Sequence, residues 1–180
     1  MPIYLYVLIP LAGFLVTGCI LAAFQPAEFR VTRTTTLAAP AAAAFAQVND
    51  FHHWAAWSPW AQLDPKMTAT HSGAPAGVGA IYEWTGNAKV GTGRMTLLES
   101  RAPEWVRIKL EFLKPFAATN TAEFTFQAEG NQTRVTWSMV GHNNFMLRAV
   151  GLFMSMDKMV GGDFAKGLAQ LKSVVEQANG

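Results

Sequence analysis

The sequence predicts an α+β domain in which an antiparallel sheet curls around one long C-terminal helix, behind an N-terminal transmembrane helix. Three observations lead there. Residues 80–140 hold successive stretches in which apolar and polar side chains alternate, the period of strands with one buried face. From residue 144 onward the apolar positions recur at steps of three and four, the period of an amphipathic helix. Residues 3–24 carry no charge, and a helix of about 20 apolar residues crosses a ~30 Å hydrocarbon core.

The uncharged run is read as an anchor over residues 1–26, with the domain in residues 27–180. Pro10 and Gly13 inside it are tolerated in membrane helices. A cleaved signal peptide would start with a basic region, whereas this chain starts Met-Pro-Ile-Tyr. Val16-Thr17-Gly18-Cys19 is similar to a lipoprotein lipobox, but the absent basic start and the apolar continuation to Phe24 argue against cleavage before Cys19. Arg30 and Arg33 follow the span and no basic residue precedes it. The positive-inside rule therefore places the domain on the cytoplasmic side of a cell membrane crossed once.

Within the domain, residues 29–37 alternate and are rich in β-branched side chains, so they read as a strand. Pro40 opens an alanine-rich helix over residues 41–48. Asn49-Asp50 ends it and caps a second short helical segment over 51–57, which Ser58-Pro59 stops. A short strand over 66–71 and a Gly/Ala/Pro-rich turn over 72–79 follow. Residues 80–85, 89–99, 105–112, 121–128 and 133–140 are the clearest strands, joined by turns such as Gly86-Asn87 and Glu129-Gly130-Asn131. Gly91 and Gly93 predict a bulge or close approach. The helix over 144–177 is expected to kink at Gly161-Gly162, with Asp163 capping its second half. It is the one element long enough to cover the apolar face of the sheet.

Composition narrows the function. Charged residues make up only 14% and the net charge is +2, with Lys and Arg scattered, so no basic patch suits nucleic acid. Cys19 is the sole cysteine and lies in the anchor, which leaves the domain without a disulfide, a thiolate nucleophile or a Cys-based metal site. His52, His53, His71 and His142 lack HxxxH or HExxH spacing, and no metal or other cofactor is expected. The GNAKVGTG stretch at residues 86–93 lacks a GK[ST] ending and precedes a strand, so it is a hairpin rather than a phosphate loop.

Several local stretches resemble the polyketide cyclase/dehydrase and lipid-transport (SRPBCC) branch of the START-like superfamily. They include Phe29-Arg30-Val31 before Ala39-Pro40, Val48-Asn49-Asp50-Phe51, Trp57-Ser58-Pro59-Trp60, Val90-Gly91-Thr92-Gly93 and Val135-Thr136-Trp137. The likeness runs from about Phe29 to Glu176. It implies the helix-grip fold, a curved seven-stranded antiparallel sheet around a long C-terminal helix and an apolar cavity. It also implies binding of lipids, sterols, polyketides or other apolar molecules, with a minority of members being enzymes.

The residues expected to line such a cavity are Trp54, Trp57, Trp60, Tyr82, Trp84, Met95, Phe112, Phe124, Trp137, Met139, Phe153 and Met156. Each alone is as easily a core side chain; rigid aromatics beside flexible methionines together suit an adaptable apolar pocket. The expected function is membrane-tethered binding or transport of a hydrophobic, lipid-like molecule. One alternative is a cyclase or dehydratase whose acid or base is Glu83, His71 or His142, although alternation turns Glu83 to solvent. Another is an interaction module that takes no ligand.

Overall fold

Seven strands follow one another in the order their patterns predict, together with four α-helices, in a computed structural model that describes residues 4–179. Helix α1 (Leu5–Ala23) precedes β1 (Glu28–Leu37) and α2 (Ala41–Asn49). Two turns of 3-10 helix, Phe51–Ala56 and Pro59–Gln62, lead to β2 (Thr68–Gly73) and β3 (Ala80–Thr85). Strands β4 (Thr92–Arg101), β5 (Trp105–Lys114), β6 (Ala118–Glu129) and β7 (Gln132–His142) form a meander. Helices α3 (Phe145–Gly151) and α4 (Met156–Asn179) close the chain. All pairings are antiparallel, in the order β1-β7-β6-β5-β4-β3-β2.

The register explains which side chains meet. Val31 lies opposite Met139, Met139 opposite Ala122, Ala122 opposite Ile108, and Ile108 opposite Leu97. This row crosses five strands on the concave face, and every member is buried. The outward row between these residues is charged, with Arg94 beside Glu83 and Arg107 beside Glu123. Polar residues on one face and apolar on the other are what a sheet needs to bury one side only.

Helix α4 is held at three points along its length. In its middle, the Phe164 ring stacks on Trp137 with centroids 4.1 Å apart and 17° between planes. Gly167 lets Trp137 and Pro59 approach the helix backbone, because a Cβ there would sit 2.9 Å from the indole. Toward the C-terminus, Lys172 Nζ donates to the Thr36 carbonyl at 2.8 Å, and Glu176 accepts from the Ala38 amide at 2.6 Å. Near the N-terminus, Arg33 donates to both carboxylate oxygens of Asp157 at 2.7 and 3.1 Å. Arg33 reaches across Gly161, where a Cβ would collide with its guanidinium.

Three expectations are corrected. The helix over 144–177 is two helices, not one kinked at Gly161-Gly162. Asn144 caps α3 by accepting from the Leu147 amide at 2.9 Å, α3 stops at Gly151, and α4 begins afresh at Met156. The glycine pair sits inside α4, where Gly161 serves the Arg33–Asp157 pair. Because the break falls at residues 152–155, Phe153 leaves the concave face and is 85% exposed. It lines no interior site.

The third concerns the anchor. Among the described residues no helix is long and apolar enough to cross a membrane. The expected run was residues 3–24; α1 has 19 residues and measures about 28 Å at 1.5 Å per residue, just under a ~30 Å core. Residues 1–3 of the expected anchor lie outside the described part. The C-terminal end of α1 is docked on the domain, with Ala22 buried and α3 packed against it.

Phe164→Ala removes the ring that joins α4 to the sheet, and stability should fall by about 3–5 kcal/mol in urea melts. A loss below about 1 kcal/mol would show that α4 is held elsewhere.

Candidate functional site

The concave face divides into a sealed end and an open end. At the sealed end, Trp54 and Trp57 project from the first 3-10 turn, whose three residues per turn put them on one face. Asp50 starts that turn by accepting from the His52 amide at 2.8 Å. The indoles of Trp54 and Trp57 lie 4.6 Å apart, Trp57 meets Phe124 edge-on at 6.0 Å, and Phe124 stacks on Trp137 at 4.8 Å. Trp54 Nε1 donates to the Val48 carbonyl at 3.0 Å and Trp57 Nε1 to the Gln47 carbonyl at 3.3 Å. With Phe164 behind Trp137, this end is filled by its own rings. Of the expected ligand-binding residues, Trp54, Trp57, Phe124 and Trp137 belong to that packed core.

The open end is legible in the next row of the register. Phe29 lies opposite Gly141, Gly141 opposite Asn120, Asn120 opposite Leu110, Leu110 opposite Met95, and Met95 opposite Tyr82. Along β5, Val106 and Ile108 are fully buried, whereas Leu110 and Phe112 on the same face are only half-buried. The sheet therefore runs out from under its cover. Trp84 lies flat over Gly93, where a Cβ would collide with the indole, and its Nε1 donates to the Val90 carbonyl at 2.9 Å. Tyr82 stacks beside Trp84 at 6.1 Å and Phe112 meets it edge-on at 6.0 Å. Trp60, Met67, Met156 and Val160 are half-buried against the same core. The structure thus places Tyr82, Trp84, Met95, Phe112, Met139 and Met156 at or beside the open end, whereas Trp60 meets Trp137 and Phe164 edge-on at 5.7 and 5.9 Å and borders the sealed end.

One residue there escapes a reading of the alternation. Asn120 is 6% exposed on the concave face, and its Oδ1 has no hydrogen-bond partner among the described residues. Its Nδ2 makes only a 3.8 Å contact with Met139 Sδ. Gly141 makes room for it, since a Cβ at that position would collide with the Asn120 oxygen and press on the Phe29 ring. The signal was the inward phase of residues 122, 124 and 126, which extends back to 120 once β6 is seen to start at Ala118. The Trp137 indole N–H is likewise buried and without a partner among the described residues.

The candidate acids and bases are scattered. Glu83 faces outward and accepts two hydrogen bonds from Arg94, at 2.8 and 2.6 Å. His142 meets Glu28 at 3.1 Å with both side chains exposed. His71 is stacked on His52 at 4.1 Å and contacts the Phe51 carbonyl at 3.4 Å. Burial pushes the Tyr82 phenol up, so it stays neutral near pH 7. Among the described residues no cluster of three His, Cys, Asp or Glu side chains has the geometry of a metal site.

Two cavities flank the open end. One of about 240 Å³ lies between β1, α3 and the start of α4, with Phe29 and Met156 in its wall. The other, of about 150 Å³, lies beside residues 88–91 and 114–116, with Phe112 in its wall.

A curved antiparallel sheet closed by one long C-terminal helix defines a helix-grip domain. The chain belongs to the polyketide cyclase/dehydrase and lipid transport family, whose model matches residues 28–176. No curated protein matches it. Among solved structures it is similar to protein CV1439 from Chromobacterium violaceum, at 17% identity and a TM-score of 0.59, covering 84% of this chain and 98% of that one. The Aha1 dimer from Colwellia psychrerythraea is similar at 16% identity and a TM-score of 0.56, covering 84% of this chain and 99% of that one. The di-domain ARO/CYC protein BexL from the BE-7585A biosynthetic pathway is similar at 16% identity and a TM-score of 0.59, covering 87% of this chain and 53% of that one. At these identities the likeness concerns the fold.

Two outcomes follow. Asn120→Leu removes a buried amide with an unmet oxygen, and stability should rise by about 1 kcal/mol, or roughly 2–4 °C in the melting temperature. A fall of that size would mean the amide is satisfied in solution. The Arg33 hydrogen bond, reinforced by its charge, holds the Asp157 carboxyl below its ordinary value of 3.8. A lowered folded-state pKa contributes stability above the unfolded value that disappears as pH falls through the folded one. Urea midpoints of the wild type and Asp157→Asn should therefore differ at about pH 6 and draw together as the pH falls below 3.8 and through the lowered carboxyl value; a constant gap would exclude the pair as the source.

Proposed function

We propose that this protein holds an apolar molecule bearing one hydrogen-bonding group, seated over the Asn120 row of its concave sheet, at a membrane surface. The observation that carries this reading is the Asn120 oxygen. A buried acceptor without a partner costs about 1–3 kcal/mol, and a ligand hydroxyl or protonated carboxyl would recover that. Leu110 and Met139 stand beside it, and Met95 and Tyr82 continue the same row across the sheet, an apolar wall with two flexible thioethers. Family membership supports binding of a hydrophobic ligand or cyclase chemistry; the separation of Glu83, His71 and His142 favours holding over turnover.

The membrane enters through α1. Phe14 is 72% and Phe24 84% exposed, and Leu8, Ile9, Leu11, Leu15, Ile20 and Leu21 are all exposed on a helix without charge. An apolar surface of that extent calls for lipid or a partner to cover it. A tether there would make exchange with the bilayer effectively intramolecular.

The test is equilibrium binding of a fluorescent long-chain alcohol to the full chain in nanodiscs. Wild type should bind saturably, Asn120→Leu should bind about fivefold more weakly at the loss of one hydrogen bond, and Leu110→Trp should not bind because the indole fills the seat. Equal binding by all three proteins contradicts the assignment.

A further inference from the structure

We propose that the cavity between β1, α3 and the start of α4 receives the anionic headgroup of a membrane lipid. This inference rests on the membrane association proposed above and not on the seat over Asn120.

Its charge is the first argument. Arg30 and Arg148 both stand in the wall. Arg148 Nε donates to the Asn143 carbonyl at 3.1 Å, which orients the side chain and leaves its terminal nitrogens without a partner among the described residues. No ion pair to the Arg30 guanidinium occurs among the described residues. Two carboxylates also line the space. Asp157 is paired with Arg33, and Glu28 lies 3.1 Å from the exposed His142 ring, which offsets its charge only when protonated. With Glu28 counted against Arg30 and Arg148, the wall still carries one unmatched positive charge, and a guanidinium suits phosphate or carboxylate oxygens.

Size and position are the second. At about 240 Å³ the space is below the range of a pocket for a whole drug-sized ligand. It suits a headgroup whose acyl chains remain outside. Leu147, Val150, Met154 and Met156 supply the apolar part of its wall. Gln25 and Pro26, which follow α1 directly, form its rim. The exposed Phe24 at the end of α1 and Phe145, Met146 and Phe153 around α3 flank this rim in sequence. A cationic pocket thus opens where two exposed apolar segments converge, the arrangement of a site at the headgroup level of a bilayer.

The experiment is co-flotation of the full chain with vesicles of phosphatidylcholine alone or with a phosphatidylglycerol fraction. Wild type should float with both and bind the anionic vesicles more tightly. Arg30→Gln and Arg148→Gln should each reduce that preference about fivefold. Arg134→Gln, which removes one charge at the far end of β7 where Arg134 pairs with Glu129, should change it less than about twofold. Gly151→Trp keeps every charge and adds an indole at a residue of the cavity wall, and should also abolish the preference. An equal effect of Arg134→Gln, or a preserved preference in Gly151→Trp with a native melting curve, overturns the site in favour of diffuse surface charge. Inorganic phosphate that competes as well as the vesicles would assign a free-anion site and overturn the lipid source. Flotation without any anionic preference overturns this inference alone, whereas flotation with neither vesicle removes the membrane association beneath it as well.

Discussion

The stack of Phe164 on Trp137 is the contact on which the rest of the molecule depends. A sheet with one apolar face is unstable until something covers that face, and α4 is the cover. The helix docks where its ring meets the indole of β7, with centroids 4.1 Å apart. Phe124, Trp57 and Trp54 then pack outward from that indole into a continuous aromatic core. That concentration of rings fills one end of the concave face. It also sets how far the cover extends, so that Leu110 and Phe112 at the other end of β5 remain half-buried.

From this asymmetry the functional reading follows. The filled end supplies rigidity, and the opposite end carries the features of a binding surface: half-exposed apolar walls, thioethers, and a buried amide whose oxygen has no partner. Native cores rarely keep such a group without a use for it. The Arg33–Asp157 pair holds the N-terminal turn of α4 beside this end, and the same segment forms one wall of the outer cavity. Phe29, which lies against Gly141 beside Asn120, also stands in the wall of the outer cavity, so the seat over Asn120 and that cavity are neighbours. Both lie on the side of the domain from which α1 departs.

Much of the fold was legible because the strands are one-sided. Trp105–Lys114 alternates apolar with charged residues, and Glu83 reads as outward from its neighbours alone, as the Arg94 pair bears out. The Gly93 close approach was legible too, since a strand glycine next to aromatics marks a place where a ring must lie flat. Less could be read where a residue's role depends on a distant element. Gly161-Gly162 looks like a kink by propensity, but Gly161 is there for an arginine from β1. Trp54, Trp57 and Trp60 recur every three residues, and only the rings they meet, Phe124 and Trp137, decide that Trp54 and Trp57 belong to the packed core rather than to a cavity wall. Phe153 fits the helical period, yet the Asn144 cap and the stop at Gly151 break the helix before the period can carry that residue inward. Asn120 was hidden because β6 extends past the end of its clean alternation.

The central claim is that guests enter only the open end, and the indole signals of the six tryptophans report it directly. In a nitrogen–proton correlation spectrum recorded while a medium-chain alcohol is titrated in, the Trp84 indole resonance should shift and those of Trp54 and Trp57 should stay in place. Shifts at Trp54 and Trp57, or none at any indole, would contradict it.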